Sequence, residues 1–280
     1  MTSTLTGGTY NAYSGAILLS QANATAPTPA VITTNAATIL LDGATAKIAD
    51  GSRHDILQGF FTTNATAGNF TIQNGANLTS SSSDFNNAGT MNIGANSTFT
   101  VGGSHNYVQS AGLTYLQAST SNLVAATTTL NGGTLQGFGT GTGNLSNMGG
   151  TVHPGDGPGT LTVTGNYSQS AGGTLDTLIG GSSQGATYSW LNVSGTATLA
   201  GTLDLSLVNG FAPTNGQLFV ILTSGGLSGQ FNDNSIQIGN VTFNVEYSPG
   251  NFPNDVVLDA SVCRSFPFPS PLRGWCSDSD

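Results

Sequence analysis

"NYVQSAGLTYL" at 106–116 is nearly rewritten sixty residues later as "NYSQSAGGTL" at 166–175. Shorter copies of the same turn-then-strand phrase stand at 86–91 (NNAGTM), 130–135 (LNGGTL), 147–152 (NMGGTV), 170–175 (SAGGTL) and 199–203 (LAGTL). Their threonines are Thr90, Thr134, Thr151, Thr174 and Thr202, with Thr114 of the first stretch in between, so successive steps run from 17 to 28 residues. Units of that length cannot bury an apolar face alone and must stack on their neighbours, which is the signature of a solenoid. An offset of sixty then equals about three coils of ~20 residues and places the two long copies on one face of the stack.

Within each unit the apolar residues alternate, as in FTIQNGANL (70–78), STFTVGG (97–103), GTLTVTGNY (159–167), ATLAGTLDLSL (197–207) and VTFNV (241–245). Period two means strands with one buried face. The strands are short, separated by Gly, Asn and Ser, and accompanied by no 3.6-residue pattern, which favours a coil of parallel strands over strand–helix–strand units. The competing arrangement for short, regularly spaced strands is an antiparallel β-sandwich. The fold expected is therefore all-β: a single-stranded parallel β-helix over 1–208, closed by terminal capping rungs over 209–261. In that terminal part the strands lengthen and Phe becomes frequent, and a cap is needed because open strand edges template aggregation. Residues 262–280, VCRSFPFPSPLRGWCSDSD, change composition abruptly and hold both cysteines. Either a Cys263–Cys276 disulfide closes a Pro-rich hook, or the segment is a disordered or out-of-frame tail. The cysteine spacing is unlike that of paired zinc ligands.

Only 6% of residues are charged, 40 are glycine, and the net charge is −9. Regularly placed Leu, Val, Ile and Phe among abundant Thr, Ser and Asn describe a packed core under a neutral surface. Four basic residues give no positive field for phosphate backbones or anionic lipids, so nucleic acid is not expected as a partner. The longest apolar runs, AILL (16–19) and LFVIL (218–222), fall far short of the roughly 18 residues of a spanning helix, and no membrane insertion is expected. No basic start with an apolar stretch heads the chain, so the expectation is that Met1 begins a fragment of a longer exported protein.

Acid–base chemistry has few groups to draw on, since the chain holds three His and one Glu. Ser183 in GSSQG (181–185) fits the G-x-S-x-G nucleophile pattern, but the following ATYSWLNVSG reads as strand where an elbow requires helix, which favours a plain turn. His153 and Asp156 in VHPGDGPGT (152–160) sit on a rigid Pro/Gly loop, as base and orienter, as cation ligands, or as part of a turn that Asp156 caps. Arg53, His54 and Asp55 in DGSRHD (50–55) would hold a carboxylate or a sugar, or form a solvated loop with an ion pair worth up to ~1 kcal/mol. Tyr107 and Tyr167 hold equivalent repeat positions. Pointing outward with Tyr115 they would form a ladder for sugar stacking, and pointing inward they would be core stacks. A flat threonine array for ice or a crystal surface would need regular T-x-T spacing, and TLTVT (160–164) is nearly alone.

The run TLNGGTLQGFGTGTGNLSNMGGTVHPGDGPGTLTVTGNYSQSAGGTLD (129–176) resembles the passenger-associated repeats of bacterial autotransporters and related large surface proteins. The closing NGFAPTNGQLFVIL and NDVVLDAS are similar to their terminal rungs. The resemblance implies a right-handed parallel β-helix that is exported and displayed on, or released from, the bacterial cell. The function expected is a non-catalytic, secreted or surface-held rod, monomeric or weakly self-associating, that binds glycans or cell or solid surfaces and needs neither metal nor cofactor. The alternative is a secreted hydrolase, an esterase using Ser183 with His153 and an Asp, or a glycan-active enzyme using Asp156 with another acid.

Overall fold

Alternation in FTIQ, TFTV and TLTV turns every second side chain inward, and the chain winds those inward residues around one continuous core. The computed structural model describes residues 2–18, 31–50, 53–80 and 82–263, and every regular element in it is a β-strand. Twenty-five of the strands form one long sheet that does not close into a barrel. From the first coil to residue 229 the strands pair parallel from coil to coil, the one antiparallel ladder in that span being the terminal partner of Gln217–Thr223, which excludes the antiparallel sandwich. The chain is a β-solenoid.

Each full coil carries three strands, and strands of equal rank stack into three faces. The first face contains Phe85–Asn87, Tyr107–Gln109, Tyr167–Gln169 and Thr196–Leu199. The second contains Asn69–Gln73, Thr90–Ile93, Leu113–Leu116, Thr134–Gly137, Thr151–Pro154, Thr174–Ile179 and Thr202–Leu207. The third contains Asn77–Ser80, Thr98–Val101, Thr160–Val163 and Trp190–Val193. Strands Asn122–Leu130 and Thr140–Asn147 run around the corner from the third face into the first. Tyr107 and Tyr167 lie three coils apart on the first face, linked through Thr128 and Leu145, as the sixty-residue offset predicts.

On the second face the partners in line are Asn69, Thr90, Leu113, Thr134, Thr151, Thr174 and Thr202. The sequence reading puts Thr114 in this series, whereas the structure puts Leu113 there and turns Thr114 fully inward. The phase is set by the glycine just before the strand. The Gly112 N-terminal neighbour of Leu113 has φ +69°, and a Cβ on it would stand 2.1 Å from the Gly89 carbonyl oxygen of the coil before. Gly133 repeats this against Gly112 at 2.4 Å, and the Gly112 carbonyl accepts a hydrogen bond from the Thr134 amide at 2.9 Å. Only a residue without a side chain permits coils to approach so closely in that conformation.

Inside the first face runs a polar ladder at successive inward positions: Asn35, Asn64, Asn87, Gln109, Leu130, Asn147 and Gln169. The six amides are buried. Asn35 Nδ2 donates to Asn64 Oδ1, and Asn64 Nδ2 to Asn87 Oδ1, each at 2.9 Å. Each ladder amide also reaches the next coil: Gln109 Nε2 donates to the Thr134 carbonyl (2.9 Å), Asn147 Nδ2 to that of Thr174 (3.0 Å), and Gln169 Nε2 to that of Thr202 (2.9 Å). Buried polar groups are tolerated here because their partners are present at every level.

The apolar core beside this ladder changes along the axis. Phe61, Phe70, Phe85, Phe99 and Tyr107 form a continuous aromatic stack, with Phe85 4.7 Å from Phe99 and 5.4 Å from Tyr107 between ring centroids. In the coils between Tyr107 and Tyr167 the inward positions are mostly aliphatic, and Gly141 takes one in line with Leu123 and Val163. A small recess remains there, lined by Leu116, Leu123, Leu135, Leu145 and Leu161 together with Gly141 and Gly143.

At its C-terminal end the pairing changes sense. Gln217–Thr223 pairs antiparallel with Val256–Val262, which pairs antiparallel with Val241–Tyr247, itself paired with Ser235–Ile238. Phe219, Phe243, Val256 and Leu258 are fully buried in this unit. The proposed Cys263–Cys276 link involves Cys276, which with the rest of 264–280 lies outside the described residues.

Candidate functional site

Because strand residues alternate, the outward positions of the second face also stack: Thr71, Asn92, Tyr115, Gln136, His153, Asp176 and Asp204 stand in one lane. The coil thus brings together residues far apart in sequence. His153 Nδ1 lies 2.8 Å from Asp176 Oδ2, with side chains 13% and 29% exposed. A carboxylate against Nδ1 fixes the ring and directs Nε2 away from its partner. The loop after His153 folds back over the preceding coils. Its Gly155 has φ +105° and donates its amide to the Gly137 carbonyl at 2.8 Å. Asp156 is thereby carried onto Tyr115 and Gln136: the Tyr115 hydroxyl donates to Asp156 Oδ2 (2.9 Å) and Gln136 Nε2 to Oδ1 (3.2 Å). Desolvation, reinforced by the facing carboxylate, pushes the Tyr115 phenol up to about 12.

His153 and Asp156 are therefore committed to different partners and do not form a base–orienter pair with each other. Ser183 belongs elsewhere. It lies in a tight turn in which its amide donates to Thr187 Oγ1 (2.8 Å) and its carbonyl accepts the Thr187 amide (2.8 Å), with strand on both sides and no helix for an elbow. That turn flanks the third face, where Gly185 abuts Thr160 and Trp190, while His153 projects from the second.

Tyr107 and Tyr167 are core residues, 0% and 1% exposed, and unavailable to a ligand. Both share the inward phase of the Y-x-Q pattern, which puts Tyr and Gln on the same side. The Tyr107 hydroxyl bonds Thr114 Oγ1 (2.6 Å), and Tyr167 donates to Gln169 Oε1 (2.5 Å). Burial raises both phenols far above their ordinary range. Of the three tyrosines named from sequence, Tyr115 alone reaches the surface.

In the 50–55 segment, Asp55 Oδ1 accepts the amides of Leu57 (2.9 Å) and Gln58 (3.0 Å), which makes it a turn cap. His54 pairs with Asp50 at 3.4 Å, and the Arg53 amide donates to the Asp50 carbonyl (2.9 Å). Among the described residues no three His, Cys, Asp or Glu side chains are placed to ligate a metal, and no helix is long and apolar enough to cross a membrane.

The third face carries what the sequence reading missed. Its outward lane reads Asn77, Thr98, Asn122, Thr140, Thr162 and Asn192 in register. A second lane beside it holds Thr79, Thr100, Val124 and Thr142. Thr142 Oγ1 donates to Asn122 Oδ1 (2.9 Å). Trp190 lies next to Asn192 with its indole partly exposed, and its Nε1 donates to Thr223 Oγ1 (3.0 Å), which donates in turn to Asn192 Oδ1 (3.2 Å). The T-x-T at 160–164 thus has companions at 98–100 and 140–142, visible in the sequence once the coils are aligned.

No family model matches the chain, and no curated protein matches it.

Proposed function

We propose that the chain is the non-catalytic rod of a secreted or surface-displayed, adhesin-like bacterial protein that binds neutral glycans through the outer faces of its coil. One observation carries the reading. The outward positions of successive strands present hydroxyl and amide groups in register over most of the rod, a repeating array of donors and acceptors with almost no net field of its own. Neutral polyhydroxyl ligands are recognised by such groups together with partly exposed aromatic rings, here Tyr115 and Trp190. A net charge of −9 repels polyanions, which leaves uncharged sugars as the favoured class.

The hydrolase reading has one observation in its favour, the His153–Asp176 pair. An esterase also needs a nucleophile within hydrogen-bond reach of that histidine, and Ser183 sits in a turn beside another face. The experiment that separates the two presents the purified protein with short acyl esters and with neutral and acidic glycans, measuring both binding and hydrolysis. Binding of neutral glycans without turnover is expected. Turnover that disappears in a folded His153→Ala variant would replace the rod with an enzyme.

A further inference from the structure

We infer that the third face is the glycan-binding strip, and that it takes an extended, equatorially linked neutral polysaccharide chain laid along the rod axis with one sugar per coil. The inference rests on the glycan-binding reading above and adds to it a site, an orientation and a linkage geometry.

Register comes first. The lane from Asn77 to Asn192 places one hydroxyl or amide on each of six consecutive coils, and Thr223 extends it to a seventh. Coils repeat about every 4.8 Å, so the lane runs about 29 Å. A pyranose joined through equatorial bonds advances a little more than one coil spacing per residue, so a chain lying along the axis meets successive coils with successive sugars, alternate sugars turning opposite edges to the lane. A chain lying across the coils would meet only the two outward lanes of each strand.

Charge separates this face from its neighbour. The third-face strands Asn77–Ser80, Thr98–Val101, Thr160–Val163 and Trp190–Val193 contain no ionisable side chain. On the second face, by contrast, His153, Asp156, Asp176 and Asp204 crowd the lane.

Trp190 supplies the independent observation. Its indole is partly exposed and is oriented by a hydrogen bond into the lane itself, through Thr223 to Asn192. Tethered in that way, its ring is a fixed platform for the apolar face of a sugar at one end of the strip. Gly185 lies beside its Cε3 edge and beside Thr160.

Binding of cellohexaose and of cellobiose to the intact protein, followed by calorimetry, tests this. If each coil holds one sugar, the hexaose binds at least tenfold more tightly than the disaccharide, because further sugars dock without a new loss of free motion. Trp190→Ala, and Thr140→Arg, which lays a long side chain across the strip, each weaken the hexaose at least tenfold while circular dichroism stays unchanged. The first-face variant Ser168→Arg leaves binding intact. If Tyr115→Ala abolishes binding and the third-face variants do not, the protein binds glycans elsewhere and the strip is refuted. If no neutral glycan binds to the folded protein, the glycan reading itself falls. Inhibition of ice growth without glycan binding would identify the array as a water-ordering surface and also overturn the inference.

Discussion

Gly141 and Gly143 lie two residues apart on one strand and should respond to the same substitution with opposite sign. At Gly141 an added Cβ meets only the Thr162 carbonyl oxygen, at 3.8 Å, and it faces the recess between Leu123 and Val163. Burying one methyl contributes about 0.8 kcal/mol. Removing glycine from the unfolded chain adds about 0.4–1 kcal/mol where the backbone is compatible with a side chain. Gly141→Ala should therefore stabilise the protein by about 1–2 kcal/mol. At Gly143 the backbone has φ +105° and a Cβ would fall 1.9 Å from the Ala125 carbonyl oxygen. Backbone strain alone costs about 1–3 kcal/mol there, before any displacement of the Ala125 coil. Urea unfolding of the two variants beside the parent, with the slope monitored for changes in cooperativity, reads both values. A Gly141→Ala midpoint at or below the parent, or a Gly143→Ala midpoint equal to it, would refute the placement of these glycines in the coil.

Other consequences follow from the interior and the outer lane. Asn87→Leu deletes bonds to Asn64, Gly89 and Leu113 and should cost about 1–3 kcal/mol in denaturant midpoint, because their buried partners lose hydrogen bonds. Gly112→Ala forces a Cβ to 2.1 Å from the Gly89 oxygen, and should destabilise more than Gly141→Ala stabilises, as thermal melting would show. Tyr115 holds its proton more tightly in the folded protein than in the unfolded chain, so its contribution is full below about pH 10 and is lost as pH rises toward about 12. Difference absorbance between the parent and Tyr115→Phe should show the late titration, and Asp156→Asn should bring it back toward the ordinary range. No change on removing the carboxylate would disprove the Asp156 contact.

Strands and stacking were legible because period-two alternation and a repeated phrase are local or nearly local signals. Phase was harder. QSAGLT and QSAGGT look alike, yet the strand starts after the last glycine, so a one-residue difference in glycine count moved Thr114 from the outer lane into the core. The same parity makes Tyr107 and Tyr167 core residues, and the Gln two positions later, fixed inward as well, was the available signal for the polar ladder. Site residues were hidden by their spacing along the chain. Asp176 stands 23 residues after His153, one coil further on, and counting by coils rather than by neighbours would have paired them. Trp190 escaped that count too, because the turn around Ser183 lengthens its coil and brings it beside Thr160, thirty residues back.

Every ladder bond between coils, in the backbone and in the Asn/Gln interior alike, runs along the axis of the rod. A tether that pulls on the two ends therefore loads these bonds one level at a time, like a zip, and not all together as in a sheared sheet. The coil between Leu113 and Thr134 holds 21 residues. Released, it lengthens from about 4.8 Å to about 70 Å. Held at its two ends and loaded, a molecule of this design yields in steps of that size while the remaining coils stay wound, and re-coils when the load drops. Force–extension traces should show that sawtooth, with one tooth for each coil.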